Sequence, residues 1–349
     1  MVSAVIQTAF LGDMVLTTPL LTRLASAGAG PVHVVATPAN AGILANHPAV
    51  ASVIVFDKRK ADRGLRGMLR VARALRQTGA STVYLAQGSV RSAAIARLAG
   101  IHERVSFDNS PGRVFATRQV HFDTSLHHAQ RLWQLASPPG RAETAPELRP
   151  SLYPSNADYA KVDALLAAHG VQEHEPLIAL APGSVWATKR WPTFTELATE
   201  ISNDPHLRDH RIVVVGGPND TSLATEIVGI SSQHGHAPAI DATGKLSLLA
   251  SAALLARARV LVTNDSAPLH LASAMNTPTV AVFGPTIPAF GFGPLSSRRI
   301  IVENDTLTCR PCHAHGPQQC PLTHWRCMRD LSATRVLTHV QELSTVLPE

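Results

Sequence analysis

Val2-Ser3-Ala4-Val5-Ile6-Gln7-Thr8-Ala9 reads as a buried strand and Met14 to Ala25 as a helix, with the loop Phe10-Leu11-Gly12-Asp13 between them. An apolar run without strict alternation suits a strand covered on both faces, as inside a parallel sheet. The pattern then repeats. Strands are predicted over 32–36, 53–56 and 82–86, and helices over 63–77 and 90–99. Around Ala136 to Pro154 the texture changes to Pro, Gly, Arg and Ser with few periodic positions, which marks a linker. Beyond it helices are predicted over 158–169, 194–201, 221–230, 247–256 and 268–274, interleaved with strands over 177–181, 212–215, 260–263 and 279–283. A closing helix is predicted over 332–347, with Ser332 as its N-cap. Strands alternating with helices define an α/β fold with parallel sheets. The restart after the linker predicts two Rossmann-like domains, 1–153 and 154–331, facing each other across a cleft. The helix at 332–349 is expected to pack back toward the N-terminal domain.

With 349 residues, 45% of them hydrophobic and 16% charged, the chain has enough apolar material for two cores and is not disordered. No run of ~18 apolar residues exists to span a bilayer. The first residues lack a basic n-region and Asp13 interrupts the apolar stretch, so no signal peptide is expected and the cytosol is the default compartment. The charge is unevenly placed. Asp57 to Arg76 holds eight Lys/Arg against two Asp, which accounts for the whole net charge of +6. A diffuse nucleic-acid coat would not look like this; one basic segment does.

Ligands of open α/β sheets sit beyond the carboxyl ends of the strands. The first such loop offers Gly12 for a tight turn and Asp13 at a helix N-terminus, where it either caps the helix or serves as a general base. The loop lacks the full dinucleotide fingerprint, which disfavours a nicotinamide cofactor. Three loops of the second half have a common character. Pro182-Gly183-Ser184-Val185-Trp186-Ala187-Thr188-Lys189 combines small residues, the hydroxyls of Ser184 and Thr188 and the cation Lys189, as a diphosphate site requires. Gly216-Gly217-Pro218-Asn219-Asp220 offers a carboxylate for ribose hydroxyls, and Asn264-Asp265-Ser266-Ala267-Pro268-Leu269-His270 opens a helix. Each alone could be an ordinary capped loop; three in one domain point to a nucleotide site.

Gly12-Asp13-Met14-Val15-Leu16-Thr17-Thr18-Pro19, Lys189-Arg190-Trp191-Pro192 and Asn264-Asp265-Ser266-Ala267-Pro268-Leu269-His270 resemble, in the right order, three signatures of the ADP-heptose:lipopolysaccharide heptosyltransferases. The resemblance implies the GT-B fold and an inverting, metal-independent transfer of L-glycero-D-manno-heptose from ADP-heptose to the lipopolysaccharide inner core. Carried over residue by residue, it makes Asp13 the base that deprotonates the acceptor and Lys189 the cation on the leaving diphosphate. Ser184, Thr188 and the amides of Ser266, Ala267, Pro268 and Leu269 would assist within the limits of their chemistry, proline adding its fixed backbone rather than a donor. Asp220 would approach the ribose, Leu246 would meet adenine through its backbone, and Asp265 and His270 would bracket the phosphate turn. Ala267 stands where the family commonly has Gly, and a positive φ there would strain it. The loop from Pro182 to Pro192 looks closer to the heptosyltransferase II form than to the I form. Preorganised donors and one Lys can stabilise a leaving ADP without Mg²⁺, and the sequence shows no Asp-x-Asp pair of the metal-dependent kind. No catalytic cofactor is expected.

Arg63, Arg66, Arg70 and Arg73 recur at three- and four-residue steps and so share a helix face. Of this face Arg63, Arg66 and Arg70 are the acceptor-binding candidates, and Gln87, Ser89, Arg91 and the segment from His127 to Arg131, with Arg131 itself, are weaker ones. The expected partners are the acidic inner core and an anionic surface at the cytoplasmic face of the inner membrane. Cys309, Cys312, Cys320 and Cys327, spaced C-x2-C-x7-C-x6-C among His313, His315 and His324, suggest a structural zinc or iron site. A related branch of autotransporter heptosyltransferases carries a four-cysteine iron site. Two alternatives compete: the same chemistry on a protein or another glycan, and a non-catalytic nucleic-acid module using the cysteines and the Arg stripe. The second lacks aromatics among its arginines, so no nucleic acid is expected.

Overall fold

The computed structural model describes residues 2–139, 143–231 and 237–345. Two compact units meet in sequence between Tyr153 and Pro154. The first contains β1 (Ser3–Gln7), α1 (Leu11–Leu24), β2 (Val32–Ala36), α2 (Pro38–Ala41), β3 (Val50–Val55), α3 (Leu65–Gln77), β4 (Thr82–Leu85), α4 (Val90–Leu98), β5 (Glu103–Phe107), β6 (Arg118–Val120) and α5 (His128–Gln134). Its strands form one sheet in the order β3-β2-β1-β4-β5-β6, with every pairing parallel. All five residues of β1 are buried. Ala4 and Ile6 join Val35, Val83 and Leu85 in a core closed by Val71 and Leu75 of α3 and Ile95 of α4. That is the burial an unalternating apolar strand needs.

The second unit contains α6 (Asn156–Ala168), β7 (Leu177–Ala181), α7 (Phe194–Asn203), β8 (Arg211–Val214), α8 (Thr221–Ser231), β9 (Ile240–Asp241), α9 (Leu248–Arg257), β10 (Ala258–Asn264), α10 (Ala267–Met275), β11 (Thr279–Phe283), β12 (Arg299–Glu303), α11 (Arg326–Arg329) and α12 (Ala333–Ser344). Its parallel sheet runs β12-β11-β10-β7-β8-β9. In both units the chain builds outward from the first strand to one edge, then returns to the other side of it. The strand order therefore reverses between β1 and β4 and between β7 and β10, and such switch points are where open sheets bind ligands.

Strands β5, β6, β9 and β12 were absent from the sequence expectation. They are at or next to sheet edges, and Glu103–Phe107, Arg118–Val120 and Arg299–Glu303 carry charged residues there. The linker also behaves differently from a free tether. Ser151 N–H donates to Thr18 Oγ1 at 3.0 Å, Gln130 Nε2 donates to Pro146 O at 3.1 Å, and Glu143 pairs with Arg23. These contacts tie residues 143–151 to the first unit.

The closing helix is anchored in the second unit. Ser332 caps α12 by accepting the Arg335 N–H at 3.2 Å, and the apolar face of the helix is buried within the second unit. Val336, Val340 and Leu343 are buried in one cluster with Leu197 and Ile201 of α7 and Val280 and Val282 of β11. Gln341 Nε2 adds a 2.6 Å bond to Asp204 Oδ2. The part of the expected helix beyond residue 345 lies outside the described residues.

Candidate active site

Asp13 is placed by the end of β1. Gln7, 1% exposed, donates through Nε2 to Thr17 Oγ1 at 3.2 Å and accepts the Ala9 N–H at 3.2 Å. Thr17 in turn donates to the Asp13 carbonyl at 2.7 Å. Helix α1 starts at Leu11, so Gly12 lies inside its first turn and not in the tight turn expected of the loop. The Asp13 carboxylate accepts the Phe10 N–H through Oδ2 at 3.2 Å, which is the capping role, and its Oδ1 lies 3.3 Å from His128 Nε2. Both side chains are largely buried.

Around it, Thr8 donates to the Gln87 side-chain oxygen, and Lys58 Nζ donates to the Thr8 carbonyl at 2.7 Å. Burial, followed by the charges of Arg59 and Arg91, holds the Lys58 pKa below its ordinary value. Thr8 and Gln87 follow β1 and β4, so this polar group stands at the switch point of the first sheet.

The acceptor candidates separate into two kinds. Arg63, Arg66, Arg73 and Arg91 are exposed, and Ser89 is the N-cap residue of α4. Arg70, although half exposed, is committed to structure. Its Nε and Nη2 grip the buried carboxylate of Asp62 at 2.6 and 2.5 Å, and Nη2 donates to Val55 O at 2.7 Å. Arg131 is further removed from an acceptor role. It is 4% exposed, donates to Asp123 O at 2.8 Å and Thr124 O at 2.7 Å, and lies over the Phe122 ring. A surface reading of these arginines fails because a guanidinium can satisfy several backbone carbonyls at once.

The Arg70 bond holds the Asp62 pKa below its ordinary 3.8, an additional pull coming from the Asp57 N–H. A depressed carboxylate pKa stabilises the fold above the unfolded-state value and loses that contribution as pH falls toward the folded-state value. Arg70→Ala is therefore expected to lower the melting temperature most near neutral pH. The difference from the native chain should shrink below about pH 4, as thermal unfolding followed by circular dichroism against pH will show.

In the second unit, the predicted donor residues all follow consecutive strand ends. Ser184, Thr188 and Lys189 follow β7, Asp220 follows β8, Leu246 follows β9, and Asp265 to His270 run from β10 into α10. Lys189 is the centre of this arrangement. Its Nζ donates to Asp265 Oδ2 at 2.6 Å, and Thr286 Oγ1 donates to the same oxygen at 2.7 Å. Asn264 ties the β7 loop at two points, donating to Pro182 O at 2.9 Å and accepting the Trp191 N–H at 3.1 Å. Asp265, Lys189 and Asn264 thus meet at the switch point between β7 and β10.

Ser266 is the N-cap residue of α10, and its buried Oγ has no hydrogen-bond partner among the described residues. Ala267 is the first residue of α10 and has no positive φ, so its replacement of Gly causes no strain. His270 is buried with its ring near Phe292. Ser184 Oγ accepts the Trp186 N–H at 3.3 Å. The Thr188 hydroxyl proton is committed to the Pro317 carbonyl, which makes Thr188 a brace of its loop as well as a donor candidate.

Asp220 accepts the Gly217 N–H at 2.9 Å, and its carboxylate packs against Gly183 and Gly216. A Cβ at Gly183 would overlap that carboxylate, and one at Gly216 would lie 2.7 Å from Oδ2. Gly183→Ala is expected to cost about 1–3 kcal/mol of stability through overpacking. Denaturant unfolding should show most of that loss recovered when Asp220→Ala removes the obstacle.

The arrangement of the four cysteines gives the expected structural zinc or iron no support. Among the described residues no three His, Cys, Asp or Glu side chains are gathered to hold a metal ion. Cys327 lies buried in the hydrophobic core, where burial, ahead of the neighbouring thiols, pushes its pKa up to about 11. Cys309 Sγ lies 4.0 Å from His324 Nε2, and Cys312 donates to the Cys309 carbonyl at 3.2 Å. The segment instead braces the Lys189 loop. Gln318 accepts the Ala187 N–H and donates to Val185 O, both at 3.0 Å, and the Trp186 and His315 rings are stacked with centroids 6.2 Å apart.

Sequence reasoning missed His128, Asn264, Thr286 and Gln318 as individual site residues. Asn264 stood within a quoted motif and His128 within a segment noted only for acceptor binding. Thr286, after β11, and Gln318 had no local signal.

The pattern of glycosyltransferase family 9 (heptosyltransferase) matches residues 68–325. The chain is 26% identical over 241 residues to lipopolysaccharide heptosyltransferase 2 of Salmonella typhimurium, covering 67% of this chain and 68% of that one. It is 28% identical over 325 residues to lipopolysaccharide heptosyltransferase 1 of Pseudomonas aeruginosa, covering 88% and 84%. The solved structure of Escherichia coli ADP-heptose lps heptosyltransferase II matches its fold with a TM-score of 0.81 at 23% identity, over 99% of this chain and 98% of that one. The fold is thus GT-B, with two Rossmann-like units. Two switch-point sites and a family match over most of the chain agree: this chain is a glycosyltransferase and belongs to glycosyltransferase family 9, the heptosyltransferases.

Proposed function

We propose that the chain transfers L-glycero-D-manno-heptose from ADP-heptose to the inner core of lipopolysaccharide, with inversion and without a divalent metal. The observation that carries this reading is the buried Lys189–Asp265–Thr286 group beside the N-terminus of α10. Lys189 supplies the cation for a leaving diphosphate. The helix N-terminus and the Ser266 hydroxyl supply preorganised donors where negative charge develops. Asp220 takes the ribose hydroxyls, and Leu246 meets the adenine through its backbone.

In the reaction Asp13 takes the proton of the acceptor hydroxyl, and the oxygen attacks the anomeric carbon opposite the phosphate. The bond from that carbon to the β-phosphate oxygen breaks, and ADP leaves with the electron pair. A single displacement inverts the centre. The base is on the first unit and the donor residues are on the second, so transfer needs both.

Arg63, Arg66, Arg73 and Arg91, with Gln87 and Ser89, receive the acidic acceptor. The same positive face favours an anionic surface at the cytoplasmic side of the inner membrane. The second heptose addition is preferred to the first because of the Pro182–Pro192 loop.

Calorimetric titration with ADP, UDP and GDP, without added metal, tests the donor site. Binding of ADP alone supports ADP-heptose, and preference for UDP or GDP overturns the heptose assignment. Transfer from ADP-heptose to a core already bearing one heptose, compared with a core bearing none, decides between the two additions.

A further inference from the structure

His128 is 115 positions from Asp13 in the chain, yet its Nε2 lies 3.3 Å from Asp13 Oδ1. The contact is built into the fold. Helices α1 and α5 pack against each other, and His128 is the first residue of α5. The start of α5 is itself held. His127 Nδ1 accepts the Ala129 N–H at 3.2 Å, and Gln130 Oε1 accepts the His127 N–H at 3.0 Å. Behind α5, Arg131 fastens the preceding loop through the Asp123 and Thr124 carbonyls. The imidazole is thus presented from a fixed point.

On the other side, the Phe10 N–H holds Asp13 Oδ2. One carboxylate oxygen accepts the backbone N–H of Phe10 in the loop after β1, and the other lies 3.3 Å from a ring nitrogen on another helix. Asp13 has two side-chain torsions, and two contacts from different directions define both. A general base must be held in line with the proton it removes, and a third group that orients the base is a recurring solution.

We infer that His128 is a positioning residue for Asp13, its Nε2–H holding Oδ1 so that the carboxylate is aimed at the acceptor hydroxyl. The inference rests on the proposed role of Asp13 as the base. His128 needs no contact with substrate for this role. It acts on the chemical step and leaves the donor site, in the second unit, unaffected.

The test uses the full chain with His128→Leu and His128→Gln. Leucine removes the donor, whereas the glutamine amide can place an N–H where Nε2 stood. Steady-state ADP release from ADP-heptose with a core acceptor should show kcat reduced about 10- to 100-fold in His128→Leu. The KM for donor and the affinity for ADP should be unchanged, and His128→Gln should restore most of kcat. Native kcat in His128→Leu, or equal losses in both variants, overturns the inference.

A second readout does not depend on turnover. The imidazole ¹⁵N signals of His128 should move on Asp13→Asn, and unmoved signals overturn the pair directly. Signals that move on Asp13→Asn, together with a native chain that binds ADP but transfers no heptose, would count against the heptosyl reading and leave the pair standing.

Discussion

Asp13→Ala is expected to lower turnover by about 10³-fold, the middle of the range for a positioned general base, while ADP affinity stays within about twofold. The separation follows from the fold. Asp13 follows β1 in the first unit, and the donor residues follow β7 to β10 in the second. Asp13 is also the N3 residue of α1 and accepts the N–H of the N-cap residue Phe10, so losing that hydrogen bond to alanine should cost about 1 kcal/mol of stability. That loss is too small to unfold a typical domain, so a thousandfold effect on rate is chemical. Asp13→Asn refines the test: the amide oxygen can keep the cap, but the group no longer takes a proton. Comparable rate losses in both variants, with the cap retained in the second, assign the effect to the base. A turnover near that of the native chain in Asp13→Asn would remove Asp13 from the reaction.

Lys189→Ala should have the largest effect on the second unit, and on two quantities at once. Lys189 and Asp265 both have side chains 10% exposed and meet at 2.6 Å. An exposed ion pair contributes about 0–1 kcal/mol, but removing one partner of a buried pair costs about 3–5 kcal/mol because the other charge is left uncompensated. The bond from Thr286 softens this penalty without supplying a charge. The variant is therefore expected to melt well below the native chain. ADP affinity should fall about 10- to 100-fold, in keeping with one charge-assisted hydrogen bond.

The two effects can be separated. Adding Asp265→Asn to Lys189→Ala removes the stranded charge and should recover much of the melting temperature, while ADP affinity stays low. Recovery of both would mean that Lys189 acts on folding alone. Thermal unfolding and calorimetric titration of the same samples distinguish these outcomes.

The difference between what was legible and what was not follows the range of the interactions. Apolar strands such as Val32–Ala36, Leu177–Ala181 and Thr279–Phe283 were predicted with the boundaries they have, because a strand buried on both faces must be apolar throughout. Ser332 was recognisable as an N-cap because its partner, the Arg335 N–H, is only three residues away. The loops carrying Asp13, Lys189 and Asp265 were legible for a related reason: they follow those strands, and parallel sheets collect such loops at one edge.

Edge strands were harder. Arg118–Val120 and Ile240–Asp241 are short and have a neighbour on only one side, so burial imposes little pattern on them. Side-chain commitments were not legible at all. Arg66 and Arg70 look equivalent on a helical wheel, yet only Arg70 meets Asp62, in the turn that precedes its helix. Arg131 resembles a surface cation until the carbonyls of Asp123 and Thr124 bury it. Four cysteines close in sequence suggested a metal, yet only Cys327 is buried in the core, a difference that spacing does not reveal. The pairs Asp13–His128 and Lys189–Asp265 join residues 115 and 76 positions apart. Hydrophobic periodicity is written residue by residue along a chain, and so the two sheets and their ligand-bearing loops could be read from it. Which charge meets which is decided only when distant segments pack, because a hydrogen bond acts over about 3 Å and, between residues far apart in the chain, carries no trace in their spacing.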